Sequence, residues 1–187
     1  MTDKYLPDVP DGLRELVRAA MFSAMAIGAG YALVIVPNIE LITMIVFISG
    51  LALGSRWGMI VGGVSEFIFS AMNPVGSGLM FPPLLIAQVL SMIIIGGFGG
   101  LLKPYFWKKK FSIERTIWVG ITGLFLTFIF DTLTSLNYPI SAGYEWRETL
   151  GMYLSGMIFL FIHHISNTFV FLIGVPLVVQ KLHPGNE

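Results

Sequence analysis

One uncharged segment near the start of the chain decides the fold: AAMFSAMAIGAGYALVIVPNI, residues 19–39. A helix needs about 20 mostly apolar residues to cross the hydrocarbon core of a bilayer. The whole composition agrees, since 55% of the 187 residues are hydrophobic and only 12% are charged. Soluble domains usually carry about a quarter charged residues. The sequence therefore predicts an integral membrane protein.

Charge and cysteine usage exclude several other classes of protein. The chain has 11 basic and 11 acidic residues, which argues against a basic nucleic-acid binder or a disordered acidic chain. It has no cysteine, so disulfides, thiolate metal sites and cysteine nucleophiles are excluded. The polar first ten residues predict no cleavable signal peptide. We expect residues 1–187 to form a single transmembrane domain.

Hydropathy predicts six spans in an all-α bundle. They cover residues 13–36, 39–55, 57–72, 83–102, 113–135 and 150–179. Prolines lie at or near most of the junctions, where a helix has to end. Residues 39–72 would also suit a re-entrant hairpin, but its tip would hold Arg56 in hydrocarbon at a cost of about 2.5–3.5 kcal/mol. Two separate spans are therefore favoured.

The basic residues predict the orientation of the bundle. With six spans, all of them except Arg147 fall on one side: Lys4, Arg14, Arg18, Arg56, Lys103, Lys108, Lys109, Lys110, Arg115 and Lys181. The positive-inside rule makes this side cytoplasmic. Both termini are then cytoplasmic, with a polar segment at 1–12 and a short tail at 181–187. The outward loops are 37–40, 73–82 and 137–148.

Carboxylates inside the predicted spans are the first candidates for a site. Glu66 and Asp131 lie several residues below the outward surface, where an acidic group is costly and usually functional. They are expected to face one outward-opening cavity, to which the first outward loop adds Asn38 and Glu40. The alternative is that they only bond neighbouring helices together. Such an acidic mouth favours a ligand with an amine, a cationic ring or hydroxyl donors.

The segment NPVGSGLMFPP, residues 73–83, mixes rigid, flexible and hydrogen-bonding residues. It is expected to dip inward and offer Asn73, Ser77 and backbone groups to a ligand, or else to be an ordinary turn. It lacks the lysine and the spacing of a phosphate-binding loop.

Polar and aromatic residues of the last third are weaker candidates. His163 and Asn167 are four residues apart and share a helix face, whereas His164 points about 100° away. A helix-to-helix hydrogen bond explains them without a metal, and a serine–histidine pair is too common to indicate a hydrolase. Tyr144 and Trp146 suit either an interfacial aromatic belt or a stacking wall for a planar ligand.

Small residues at four-residue spacing allow helices to approach closely in a bilayer. One such stripe is Ala20, Ala24 and Gly28, and a second is Gly54, Gly58 and Gly62. The first stripe begins at the cytoplasmic end and suits docking to another membrane protein. Packing inside this bundle is the alternative for both.

Together these features resemble the substrate-binding S component of energy-coupling factor (ECF) vitamin transporters. The resemblance is carried by the topology, by Ala20 and Ala24 in AMFSA, by EFIFSAMNP at 66–74, and by the Gly/Pro loop followed by Gln88. It implies capture of a vitamin or related micronutrient in an outward cavity formed by the three outward loops and the later helices.

The resemblance also implies partners and a location. An S component docks to a transmembrane coupling subunit and two cytosolic ATPases, with Ala20 and Ala24 at the contact, and is thought to topple within the membrane. It needs no cofactor, performs no covalent chemistry, and belongs in the cytoplasmic membrane of a prokaryote. The chain has no ATPase motif of its own. No histidine-rich N-terminus indicates nickel or cobalt, and no signature identifies the vitamin.

Two other functions remain open from the sequence. A small channel or stand-alone secondary transporter would use Glu66 and Asp131 as ion or proton groups. An intramembrane enzyme would need a convergent catalytic set, which the sequence does not provide.

Overall fold

The computed structural model describes residues 10–108 and 110–183, and this part of the chain is all-helical. The predicted basic positions Lys4 and Lys109, and the outer parts of both terminal segments, lie outside the described residues. In chain order the helices are α1 (Asp11–Leu33), α2 (Ile42–Leu53), α3 (Ser55–Ala71), α4 (Pro82–Leu101), α5 (Lys103–Phe106), α6 (Ile113–Ser141), α7 (Trp146–Ser155) and α8 (Met157–Leu182).

Four of these helices, α1, α4, α6 and α8, are long and apolar enough to cross a membrane. The chain is thus a multi-pass membrane protein. The other two predicted spans are shorter: α2 has 12 residues and α3 has 17, which corresponds to rises of about 18 Å and about 26 Å. The hydrocarbon core is about 30 Å thick. The count of six spans therefore stays a prediction.

The helix boundaries follow from local chemistry. Gly54, with a φ of 93°, ends α2 and allows α3 to begin at the next residue. Pro82 opens α4, where a missing N–H costs no helical hydrogen bond. The hydroxyl of Ser112 accepts a hydrogen bond from the Arg115 amide at 3.2 Å and caps the start of α6.

Long-range contacts define two ends of the bundle. At the end that carries most of the basic residues, the Trp57 indole donates to Glu15 at 2.6 Å and the Lys103 ammonium donates to the Ala52 carbonyl at 3.0 Å. We call this the basic end. The rings of Trp107 and His183 also meet there. The start of α1 and the end of α8 therefore lie at the same end, and its cytoplasmic orientation stays a prediction.

The opposite end joins the remaining helix termini. The Tyr31 hydroxyl donates to the Ile68 carbonyl at 3.3 Å, which ties the end of α1 to α3. The Asn137 amide donates to the Pro83 carbonyl at 2.9 Å, which ties α6 to the start of α4. We call this the cavity end.

Glycines bring α2, α3 and α4 into backbone contact. A Cβ added to Gly58 would collide with the Gly96 carbonyl of α4 and the Gly50 backbone of α2. A Cβ on Gly62 would collide with the Met92 carbonyl. The stripe from Gly58 to Gly62 therefore serves internal packing, which was one of its two interpretations.

The last predicted outward loop and the sixth span require correction. Residues 137–148 were expected to form a loop, but α6 continues to Ser141 and α7 begins at Trp146. Pro139 lies inside α6 instead of marking its end, and the helix stops before Gly143, which has a φ of 76°. A proline inside a helix loses its own hydrogen bond and crowds the carbonyl four residues earlier, which can kink the helix without ending it, whereas the left-handed glycine ends the helix.

The predicted span 150–179 is divided into two helices, with the break at Gly156 between Ser155 and Met157. Pro176 does not end α8, which continues to Leu182.

Candidate functional site

A cavity of about 340 Å³ opens among the α1–α2 connection, α3, α4, α6 and α8 at the cavity end. Each of these elements contributes at least one polar side chain to the lining. Seven residues that the sequence singled out line it: Asn38, Glu40, Glu66, Asn73, Gln88, Asp131 and His163.

Glu40 fixes the α1–α2 connection against α2 and α8. Its carboxylate accepts from the Thr43 amide at 2.9 Å and from the Asn167 amide group at 2.7 Å. Burial alone would raise the pKa of Glu40, but the imidazole of His163 and the Thr43 donors outweigh this and hold the pKa below its ordinary value. Glu40 is therefore an anion at neutral pH.

Asn38, in the same connection, adopts a left-handed φ of 60°, which asparagine tolerates better than most residues. Its carbonyl accepts a hydrogen bond from the Ser166 hydroxyl of α8. The connection is thus attached to α8 at two points, one through this carbonyl and one through Glu40.

Asp131 of α6 and His163 of α8 form a buried pair across the cavity. The Nδ1 atom of His163 lies 2.8 Å from Oδ1 of Asp131, so the imidazole donates to the carboxylate. Its Nε2 atom lies 3.9 Å from Glu40. Asn167 lies behind them and also donates to Thr127 of α6 at 3.1 Å. This network joins α6, α8 and the α1–α2 connection.

Glu66 of α3 is 2% exposed and accepts a hydrogen bond from the Ser70 hydroxyl, one turn later in the same helix, at 2.6 Å. The carboxylate lines the cavity and does not bond a neighbouring helix. Asp131 is different, because it does bridge two helices. The helix-bonding interpretation therefore fits Asp131 and not Glu66, and ligand contact stays a prediction for both residues.

Two acceptor atoms in the cavity lining are buried without a hydrogen-bond partner among the described residues. They are Oδ2 of Asp131 and Oε1 of Gln88. The nearest recorded donor to the first is Nε2 of His164, at 3.6 Å. Buried acceptors without a donor are costly, and a bound donor relieves that cost.

Some of the predicted site residues are not brought into the cavity. The Ser77 hydroxyl donates to the Ala71 carbonyl at 2.6 Å, so the 73–83 segment folds back on the end of α3, and only Asn73 of it lines the cavity. Tyr144 packs its ring on Tyr138, and Trp146 is 68% exposed. Any contact of Ser77, Tyr144 or Trp146 with a ligand stays a prediction.

His164 does not line the cavity. It faces a separate apolar groove between α6 and α8, beside Phe128 and Phe161. His163 is therefore the histidine of the cavity. In the part of the chain that the structure describes, no group of three or more acidic, histidine or cysteine side chains is arranged to hold a metal ion.

The apolar wall of the cavity and one supporting residue were not predicted from the sequence. The wall includes Phe69, Met92 and Phe130. Thr127, which supports Asn167, is four residues before Asp131 and so shares its helix face. That spacing was a usable signal, whereas the wall residues look like any other apolar residues of a span.

The docking stripe predicted on α1 faces outward. Ala20, Ala24 and Gly28 are exposed, and a Cβ added to Gly28 would have no neighbour within 4 Å. The opposite face of α1 is the one that packs inside, through residues such as Ala19, Ser23 and Ala26. Internal packing therefore does not explain the first stripe.

Of three comparisons with known proteins, one gives a match. The searches of the curated proteins and of the solved structures found none. A family model described as "ECF transporter, substrate-specific component" matches residues 14–182, which is nearly the whole chain. The chain therefore belongs to the family of substrate-specific components of ECF transporters, which are transporter subunits associated with a membrane coupling subunit, ATPases and a small-molecule substrate.

Proposed function

We propose that the cavity is the ligand site of this S component, and that the ligand is a vitamin or related micronutrient. The observation that carries the proposal is the set of converging polar groups in one 340 Å³ cavity within a bundle of apolar helices. Apolar pockets with a few placed polar groups are typical of small-molecule sites. Membership of the S-component family supports the transport role, and the cavity is where we place the transported molecule.

The proposed route into the cavity is from outside the cell. The cavity lies at the end opposite the basic end, and the positive-inside rule favours a cytoplasmic basic end. The site then faces outward in the cytoplasmic membrane of a prokaryote. The α1–α2 connection, held to α8 through Asn38 and Glu40, would have to yield for the ligand to enter or leave.

The proposed docking surface for the coupling subunit is the exposed stripe of Ala20, Ala24 and Gly28. Small side chains let a second helix approach the α1 backbone closely. Two cytosolic ATPases would complete the importer.

The test is uptake in proteoliposomes. The chain is purified, its bound small molecule is identified by native mass spectrometry, and uptake of that molecule is measured with and without a coupling subunit, two ATPases and ATP. We expect uptake only with the complete set. Uptake by the chain alone would instead favour the stand-alone transporter, in which Glu66 and Asp131 carry an ion or a proton.

A further inference from the structure

We propose that the ligand of this cavity is a small organic cation, with a protonated nitrogen held by Glu66 and Asp131. The inference rests on the proposed function of the cavity as a ligand site, and it adds the chemical class of the ligand. Its basis is the charge of the lining, two buried acceptor atoms without partners, and the size and apolar wall of the cavity.

The lining holds more acidic than basic side chains. Three carboxyl groups, those of Glu40, Glu66 and Asp131, share the cavity with one basic side chain, the imidazole of His163. Among the residues that the structure describes, no lysine or arginine lines it. The imidazole lies 2.8 Å from Asp131 and 3.9 Å from Glu40, so it serves those two carboxylates. Glu66 has only the neutral hydroxyl of Ser70 as its recorded donor.

The buried lining atoms that lack a hydrogen bond are also acceptors. Oε1 of Gln88 and Oδ2 of Asp131, whose side chain is 6% exposed, accept no hydrogen bond among the described residues; Nε2 of His164 lies 3.6 Å from Oδ2, beyond hydrogen-bond reach. A ligand with several N–H groups satisfies such acceptors, and its charge offsets that of the carboxylates. An anionic ligand would bring further acceptors and meet repulsion from the carboxylates.

The remaining walls suit an apolar or aromatic body attached to that nitrogen. Phe69, Met92 and Phe130 line the same cavity, and an aromatic face attracts a nearby cation. A volume of about 340 Å³ is near the lower end of the range for small-molecule sites.

The experiment measures thermal stabilisation of the purified, detergent-solubilised protein at pH 7. The probes are water-soluble vitamins and their precursors, grouped as cationic, neutral and anionic at that pH, with a neutral analogue for each cation. We expect stabilisation by a cationic member and at least tenfold weaker binding of its neutral analogue. Stabilisation only by neutral or anionic members, or by none, would overturn the proposal.

Variants locate the contact. Glu66→Gln and Asp131→Asn keep acceptor atoms but remove the charge, and we expect each to weaken binding of the cation by about 10- to 100-fold. Glu114→Gln makes the same change at an exposed position of α6 far from the cavity and should bind as the parent does. Equal binding by all three variants would contradict the assignment. If either cavity variant does not fold, the comparison of each cation with its neutral analogue tests the proposal in its place.

Failure of this inference can be told apart from failure of the proposed function. A neutral or anionic ligand that is imported with the coupling subunit and ATP would refute only the cationic class. A cation that binds the cavity but is not imported by the complete set would refute only the transport role of the cavity.

Discussion

At the residue scale, the key feature is the pairing of charged groups from different helices. The Asp131 carboxylate accepts from His163 at 2.8 Å, and Asn167 joins both to Glu40 and Thr127. Buried polar groups stabilise a fold only when each has a hydrogen-bond partner. A buried group without a partner costs about 1–3 kcal/mol, and a charged group costs more. Loss of one member should therefore affect stability and ligand binding together.

We predict that His163→Ala lowers both the melting temperature and the ligand affinity, because it leaves the buried Asp131 carboxylate without its 2.8 Å donor. The expected loss of stability is about 3 kcal/mol or more. His183→Ala, at the basic end, is the control and should leave ligand affinity unchanged. The measurement is thermal unfolding with and without ligand. Normal stability and affinity in the His163 variant would show that the pair is dispensable.

The pKa of Glu40 gives a second prediction at this scale. A carboxyl group whose folded pKa lies below its ordinary value stabilises the fold above that value and loses this contribution as the pH falls through the folded pKa. We expect Glu40→Gln to reduce the loss of stability below about pH 4.5. Unfolding followed from pH 6 to pH 3 checks this, with Glu114→Gln as control. Identical pH profiles for the parent and Glu40→Gln would contradict it.

The sequence predicted part of the site at this scale. Helical spacing put His163 and Asn167 on one face, and intramembrane position singled out Glu66 and Asp131. The partner of each side chain across the bundle could not be predicted, because periodicity describes one helix at a time. The position of Ser77 outside the lining could not be predicted for a related reason, since turn residues hydrogen-bond to nearby backbone groups as readily as they face a cavity.

At the scale of elements, α2, α3 and α4 pack through glycines, and the space between their backbones does not accommodate a side chain. We predict that Gly96→Ala destabilises the protein by about 1–3 kcal/mol, because its Cβ would collide with the Gly58 backbone, which cannot rotate away as a side chain can. Gly151→Ala is the matched control, since nothing lies within 4 Å of its added Cβ. Thermal unfolding of both variants tests this. Equal melting temperatures would show that the helices separate easily.

The exposed stripe on α1 gives the second prediction for an element. We expect Ala20→Leu combined with Ala24→Leu to block co-purification with the coupling subunit and abolish uptake, while ligand binding is unchanged. The bulky side chains would keep a partner helix away from the α1 backbone. Ala142→Leu is the control, an exposed alanine at the other end of the bundle. Normal uptake by the double variant would remove α1 as the docking surface.

The existence of each long helix was easier to predict than the residues at which it ends. The four long apolar segments were recognised from hydropathy alone, and α1, α4, α6 and α8 contain most of each. The predicted end of α6 was wrong because Pro139 was taken as a stop signal, whereas it lies inside the helix and left-handed Gly143 follows the helix end. Gly143 was the better signal, because a glycine just past the last helical residue commonly ends a helix in the left-handed conformation.

At the scale of the whole molecule, the charge asymmetry predicts the orientation. Because the chain has no cysteine, single cysteines can report it without background. Met80→Cys lies at the cavity end and Ile113→Cys at the basic end, at positions that are 87% and 83% exposed. We expect a membrane-impermeant maleimide to label Met80→Cys in intact cells and Ile113→Cys only after lysis. The reverse pattern would mean that the cavity faces the cytoplasm.

The shortness of α2 has a consequence for the distance that cargo must travel. Glu40 precedes a helix of 12 residues that ends at the basic end, so about 18 Å of protein separates its carboxylate from that surface. An unbroken bilayer would present a barrier of about 30 Å. If the cavity is the cargo site, as we propose, a molecule held beside Glu40 has completed a sizeable part of the crossing, and we expect the ATP-driven step to cover only the remaining thickness.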